Sequence, residues 1–358
     1  MRRRHTFGGK RRAAPAALIT AAVLTSACTT NVANPAPAPA PAAPTAVTGR
    51  VHLGPTRFWG FTAPWDARSD SSLRAHEPVL DAAITGWIQL DSVTGRPTLL
   101  YPDDSRRAGA STTRFALVTS WHGREFHPRL VRRLGANARE LAAVASRVAR
   151  LVSRHGYTGI VLDLEEQSVG DTALTARVVR VIADSVRDHG ASTVAVAIPA
   201  ADTAAYPTRA FFPAADFVLV MLYDEHWSTS APGPVATPDW VRRTLGQRIS
   251  DVGVDHIVAA LPLYGYLWRG NQPAEPLSFA DAKRAASQAD VQIARDPASQ
   301  SLHAIQPGSW ELWSSDAELL RVLRDEVAAL GVTRIALWRL GQEDPAVWML
   351  IDRWSAPR

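Results

Sequence analysis

Lysine is almost missing from this 358-residue chain: Lys10 and Lys283 are the only two, and arginine carries nearly all of the positive charge. Cysteine is scarcer still. With Cys28 alone, no intrachain disulfide can form, even in a compartment that would permit one. Residues 1–49 hold no acid but six of the 39 basic residues, which leaves 33 basic against 34 acidic residues in the remainder. A body so close to neutral argues against nucleic acid as a partner. No G-x-G-x-x-G or P-loop follows any apolar run, so nothing favours a nucleotide-binding fold. There is no H-E-x-x-H and no clustered Cys/His set, and neither a metal nor a cofactor is expected.

What the chain does have begins with its leader. Arg2, Arg3, Arg4, Lys10, Arg11 and Arg12 precede an apolar stretch from about Ala13 to Ala27, with small residues before Cys28. That is the layout of a bacterial export signal, and it is short for a transmembrane helix. Leu24-Thr-Ser-Ala-Cys28 resembles a lipoprotein signal, in which the cysteine is lipidated and becomes the mature N-terminus, although Thr25 stands where an aliphatic residue is preferred. Residues 1–28 are therefore read as an export signal of lipoprotein type, with plain secretion as the alternative. Residues 29–49 follow as a Pro/Ala-rich linker. The run Asn34-Pro-Ala-Pro-Ala-Pro-Ala-Pro-Ala-Ala-Pro44 has too little apolar bulk to pack and reads as a polyproline spacer of about 3 Å per residue. A lipid and a spacer would hold a folded domain off a membrane surface, the only membrane contact expected.

Residues 50–358 are long enough for one large domain. Apolar runs at Phe58–Ala63, Ile84–Leu90, Phe115–Thr119, Gly159–Asp163, Thr193–Ile198, Phe217–Leu222, Ile257–Leu261 and Ile335–Trp338 read as strands. Helical patterns alternate with them. Over Asn137–His155, Leu141, Val144, Val148 and Leu151 recur at spacings of three or four, and Gly156 follows as a stop. Asp171–His189 repeats the design, with Asp171 or Thr172 as its N-cap and Gly190 at its end. Eight strands alternating with helices in this length predict an α/β fold, a (β/α)8 barrel; an open doubly wound sheet is the rival. About seventy residues separate the last two strands. Roughly 272–312 of them read as a small α+β insertion. A monomer is expected.

Candidate chemistry gathers at strand ends. In His155-Gly-Tyr-Thr-Gly-Ile-Val-Leu-Asp-Leu-Glu-Glu166 an apolar strand runs into carboxylates. Alternation puts Val161, Asp163 and Glu165 on one face and Ile160, Leu162 and Leu164 on the other. Residues two apart on a strand lie about 7 Å apart, so two carboxyls can meet there. Repulsion and burial would keep Glu165 protonated while Asp163 stays ionised. Taken alone, Asp-x-Glu reads more readily as a strand end solvated or bonded to loop amides. Met221-Leu-Tyr-Asp224 ends the sixth strand, Leu261-Pro-Leu-Tyr-Gly-Tyr-Leu-Trp268 the seventh, and Trp338 the eighth. Singly, Trp338 reads as core, Tyr223 and Asp224 as a strand-end hydrogen bond, and Tyr264 and Trp268 as packing for the insertion. Together, acids and aromatics at the C-terminal ends of barrel strands suit a sugar site, where rings stack on pyranose faces.

These motifs carry a family resemblance. Thr158-Gly-Ile-Val-Leu-Asp-Leu-Glu165 is similar to the D-G-x-D-x-D-x-E signature of family 18 glycoside hydrolases, the chitinase and N-acetylglucosaminidase barrels. Met221-Leu-Tyr-Asp224 resembles their M-x-Y-D, Pro262-Leu-Tyr-Gly265 their P-F-Y-G, and Trp338 the tryptophan that ends strand eight. Phe61-Thr-Ala-Pro-Trp-Asp66 and Ala336-Leu-Trp-Arg-Leu-Gly-Gln-Glu-Asp-Pro345 look like the branch that includes spore-cortex-lytic enzymes and hydrolase domains joined to glycosyltransferases.

The resemblance implies a retaining hydrolase of β-linked N-acetylglucosamine polymers, peptidoglycan or chitin-like, in which the substrate's own 2-acetamido group is the nucleophile. It implies Glu165 as proton donor and Asp163 as orienter of the acetamide and stabiliser of the oxazolinium ion. Tyr223 would bond the acetamide oxygen, Trp338 would floor the pocket, and Asp224, Met221 and Tyr264 would complete the sugar site. No metal is required. Two positions depart from the pattern: Val161 stands where many members have a proton-sharing Asp, and Thr158 replaces the first Asp of the signature, read as structural. A glycan-binding protein on the same barrel is the competing reading, which the presence of Glu165 disfavours.

Overall fold

The computed structural model describes residues 55–101 and 112–355. The export signal, Cys28 and the linker expected within residues 1–49 lie outside the described residues. Eight parallel strands, β1 (Arg57–Phe61), β2 (Ala82–Leu90), β3 (Thr113–Thr119), β4 (Gly159–Asp163), β5 (Thr193–Pro199), β6 (Phe217–Met221), β7 (Ile257–Pro262) and β8 (Arg334–Trp338), pair in order around a ring. β1 pairs with β2 on one side and β8 on the other, so the sheet closes into a barrel and the open doubly wound alternative is excluded. A short strand, Pro97–Leu100, runs antiparallel to the end of β2.

The two-residue alternation of β4 sorts its side chains as the pattern requires. Val161 joins Ala195, Leu219 and Ala260 inside the barrel, while Ile160, Leu162 and Leu164 belong to the layer between strands and helices. Below them, Trp59 packs edge-on against Phe115 at 5.2 Å and Phe217 at 5.5 Å, filling the N-terminal end of the barrel. Burial of such a ring contributes about 2–3 kcal/mol. The opposite end is left for chemistry.

The helix Ala138–Arg154 is capped by the Asn137 side chain, which accepts from the Glu140 amide, and it buries Leu141, Val144 and Val148. The helix Thr172–Asp188 starts differently from expectation. Asp171 occupies the capping position, but its carboxylate accepts from Arg132 Nε at 2.8 and 2.9 Å and from Ser168 Oγ at 2.7 Å and caps nothing. A charge-assisted pair outcompetes a neutral amide for the same oxygens.

Between β7 and β8 the insertion forms a five-stranded antiparallel sheet in the order Glu275–Ser278, Tyr264–Trp268, Trp310–Ser314, Leu302–Gln306, Ala294–Arg295. It starts at Tyr264, two residues after β7, and not near residue 272. The helix Phe279–Gln288 covers one face through Ala282 and Ala286 against Leu267, Leu277 and Leu312. The other face sets Tyr264, Tyr266 and Trp268 beside Tyr223 and Trp338 at the barrel mouth. Both faces are thus buried, so the run Tyr-Gly-Tyr-Leu-Trp lacks the polar alternation that would have marked a strand.

Candidate active site

Asp163 ends β4 with only 9% of its surface exposed. Its register partner on β3 is Thr119, whose hydroxyl donates to Asp163 Oδ2 at 3.0 Å. Asp163 Oδ1 is buried and accepts no hydrogen bond, which leaves the carboxyl under-solvated beside Glu165. Burial pushes Asp163 up to about 6, against the pull of its hydrogen bonds to Thr119 and Glu165. Burial first, then the negative charge of Asp163, drives Glu165 well above the usual carboxyl range. The two titrate as a pair, with the proton resting on Glu165.

At the end of β6, Met221 is buried, and the Tyr223 ring stacks on Trp338 with centroids 6.1 Å apart and planes at 16°. Burial holds the Tyr223 phenol well above its ordinary value, so it remains an O–H donor. Asp224 adopts a left-handed backbone, φ 61°, unusual for a residue with a Cβ. The hydroxyls of Tyr264 and Tyr266 both donate to its Oδ1, the second at 3.2 Å. Burial raises Asp224 while these two donors oppose the shift.

These groups line one cavity of about 630 Å³ at the C-terminal mouth of the barrel, the size of a small-ligand site. Asp163, Glu165, Met221, Tyr223, Asp224 and Trp338 all border it. Tyr264 does not. It stands behind Asp224 and packs edge-on against Tyr223 at 6.2 Å, a supporting place and not the sugar contact expected of it. Val161 lies below the cavity inside the barrel, so no carboxylate neighbours Asp163 from that side. Thr158, at the opposite end of β4, bonds the Arg114 carbonyl and is remote from the cavity.

Sequence reasoning missed Thr119, which has no motif around it, and assigned no role to the tryptophans of the rim. Trp65 and Trp227 are exposed large apolar residues at the cavity edge. Trp65 leans edge-on against Trp87 at 4.7 Å, and Trp121 against Phe126 at 5.0 Å. Trp65, Trp121 and Trp227 all fall within a few residues of a strand's C-terminal end, and that rule alone would have found them. Among the described residues no group of three or more His, Cys, Asp or Glu side chains is placed to hold a metal ion.

A closed barrel with two buried carboxyls after strand four, and an aromatic-walled cavity above them, has the fold of the chitinase-like barrels. Comparison agrees. The chain is 27% identical over 255 residues to YdhD of Bacillus subtilis (strain 168), which carries the name of a sporulation-specific glycosylase; the match covers 66% of this chain and 60% of that protein. It is 23% identical over 258 residues to the cortical fragment-lytic enzyme of the same organism, covering 68% and 60%. The chain thus spans about 60% of the length of these curated relatives. A solved chitinase from Chromobacterium violaceum has the same fold, with a TM-score of 0.75, 21% identity, and 85% of this chain and all of that one covered. No family model matches the chain. The chain is similar to these proteins, and the expected resemblance to the chitinase-like barrels is borne out.

Proposed function

We propose that this chain is a retaining glycoside hydrolase of β-linked, N-acetylglucosamine-containing glycan, acting by substrate assistance. The observation that carries the reading is the pair of carboxyls, Asp163 and Glu165, at the floor of a cavity walled by Tyr223 and Trp338. Glu165 holds its proton at neutral pH and donates it to the leaving glycosidic oxygen. The substrate's acetamide oxygen attacks the anomeric carbon as the glycosidic bond breaks, giving an oxazolinium ion. Asp163, its proton left on Glu165, orients the acetamide N–H and balances the positive ring. The Tyr223 hydroxyl donates to the acetamide oxygen, and the Trp338 indole lies under the sugar. Water, deprotonated by Glu165, then opens the ring with net retention. The names of the relatives favour a cell-wall glycan as substrate.

The test is turnover of N-acetylglucosamine oligomers and of purified peptidoglycan by the wild type and by Glu165→Gln. Loss of the proton donor is expected to cost about 10²- to 10⁴-fold in kcat with binding retained. Equal rates for the two proteins would remove Glu165 from the reaction. Binding without turnover by either would favour the glycan-binding alternative. We further propose that the protein is exported and tethered through a lipid on Cys28, as the leader's pattern suggests.

A further inference from the structure

Arg248, on the helix Pro238–Val252, is wholly buried, and among the described residues it forms no ion pair with a carboxylate. Its five N–H donors are all used nonetheless. Nε donates to the Ala200 carbonyl at 3.1 Å, one terminal nitrogen to the Tyr206 carbonyl at 2.5 Å and Thr208 Oγ at 3.3 Å, and the other to the carbonyls of Pro199 at 2.5 Å and Asp202 at 2.9 Å. A guanidinium taken out of water is tolerable only when every donor is met, and here the acceptors all belong to one segment, residues 199–208. That segment leaves the end of β5, forms a wall of the catalytic cavity, and carries Tyr206.

The Tyr206 hydroxyl, itself buried, donates to the Leu164 carbonyl and accepts from the Gln167 amide, both at 2.9 Å. One oxygen therefore brackets Glu165 from both sides along the chain. The Gln167 side chain adds a bond to the Glu165 carbonyl at 2.8 Å. Within the bracket, Glu166 has φ 60°, a left-handed conformation that a residue with a Cβ adopts only when its surroundings enforce it. The mechanism above uses none of these groups.

We propose that Tyr206 and Arg248 are positioning residues: the guanidinium fixes the 199–208 segment, and the tyrosine hydroxyl fixes the turn that aims the Glu165 carboxyl into the cavity. The inference rests on the reading of Glu165 as proton donor. The charged and titratable groups facing that carboxyl are Asp163 on its own strand, Glu166 beside it, Asp224 and Tyr223 from the end of β6, and Tyr206 itself.

Tyr206→Phe removes the hydroxyl and keeps the ring that stacks on Phe211 at 5.9 Å, so the fold has no reason to fail. In this variant kcat on N-acetylglucosamine oligomers is expected to fall about tenfold or more with KM within about twofold, since a misaimed group costs rate and not binding. The alkaline limb of the pH profile moves to lower pH, because a loosened Glu165 regains water. Deuterium exchange at the Gln167 amide accelerates. Arg248→Lys, with one ammonium in place of a five-donor fork, gives the same pattern, and the double variant is no slower than the slower single one. A Tyr206→Phe protein with fast Gln167 exchange but unchanged kcat and pH profile would overturn the positioning role. Unchanged Gln167 exchange would overturn the bracket itself. A wild type with no turnover on any acetamido glycan would overturn the reading of Glu165, and the exchange result, which needs no activity, keeps that failure separate.

Discussion

A carboxyl whose ionisation is suppressed by burial stabilises the fold only while it keeps its proton. Asp163 titrates near 6 in the folded chain against an ordinary value of 3.8, so the folded state holds an extra proton between those limits. Its contribution to stability is full below about pH 4 and is lost as pH rises through about 6; Glu165, also raised by burial and by the Asp163 charge, adds a loss of the same sign. Asp163→Asn deletes this titration and leaves an acceptor for the Thr119 hydroxyl. The expected outcome is a variant that melts about 2–6 °C above wild type at pH 8, with the gap narrowing toward pH 4, and that has lost nearly all turnover. Scanning calorimetry at the two pH values, with a rate assay, checks both parts. A variant that melts lower at pH 8 would mean that Asp163 does not carry the electrostatic penalty assigned to it.

Regular elements show what sequence pattern can and cannot reveal. The barrel strands were legible because two-residue alternation and near-continuous apolar runs leave few other options. The helices were legible because Leu141, Val144 and Val148 recur at helical spacing. The insertion's first strand was not, since Tyr264, Tyr266 and Trp268 look like site motif when read alone and turn out to be one face of a sheet buried on both sides. Asp224 and Glu165 could be picked out from their motifs. The groups that hold them, Tyr264 and Tyr266 for the first and Tyr206 for the second, come from other elements and carry no local signal. Gly265 illustrates an element-level constraint that the motif Pro262-Leu-Tyr-Gly265 conceals. A Cβ there would lie 2.2 Å from the Trp313 carbonyl oxygen on the adjacent strand, a backbone atom that cannot step aside. Gly265→Ala is expected to destabilise the protein by about 2–4 kcal/mol by forcing these strands apart, and to disorder the tyrosines that support Asp224. Urea denaturation and near-UV circular dichroism would register it; a midpoint within error of wild type would show that the sheet can part at no cost.

Across the whole molecule, a closed barrel divides the labour between its ends. Aromatics fill the N-terminal end, where Arg334 caps the Phe217 ring at 4.8 Å, and the acids and tryptophans gather at the other. No helix among the described residues is long and apolar enough to cross a membrane. The attachment proposed above is through Cys28. Cys28→Ala is expected to move the protein from the membrane fraction to the soluble fraction of its native host or a bacterial expression strain, and unchanged fractionation would refute the lipid. The central claim concerns the reaction, and the stereochemistry of the first product tests it most directly. Proton NMR of an N-acetylglucosamine oligomer digest, recorded before mutarotation, is predicted to show the β-anomer at the new reducing end. An α-anomer appearing first would mean that water attacks the anomeric carbon directly, and the substrate-assisted role given to Asp163 and Glu165 would be contradicted.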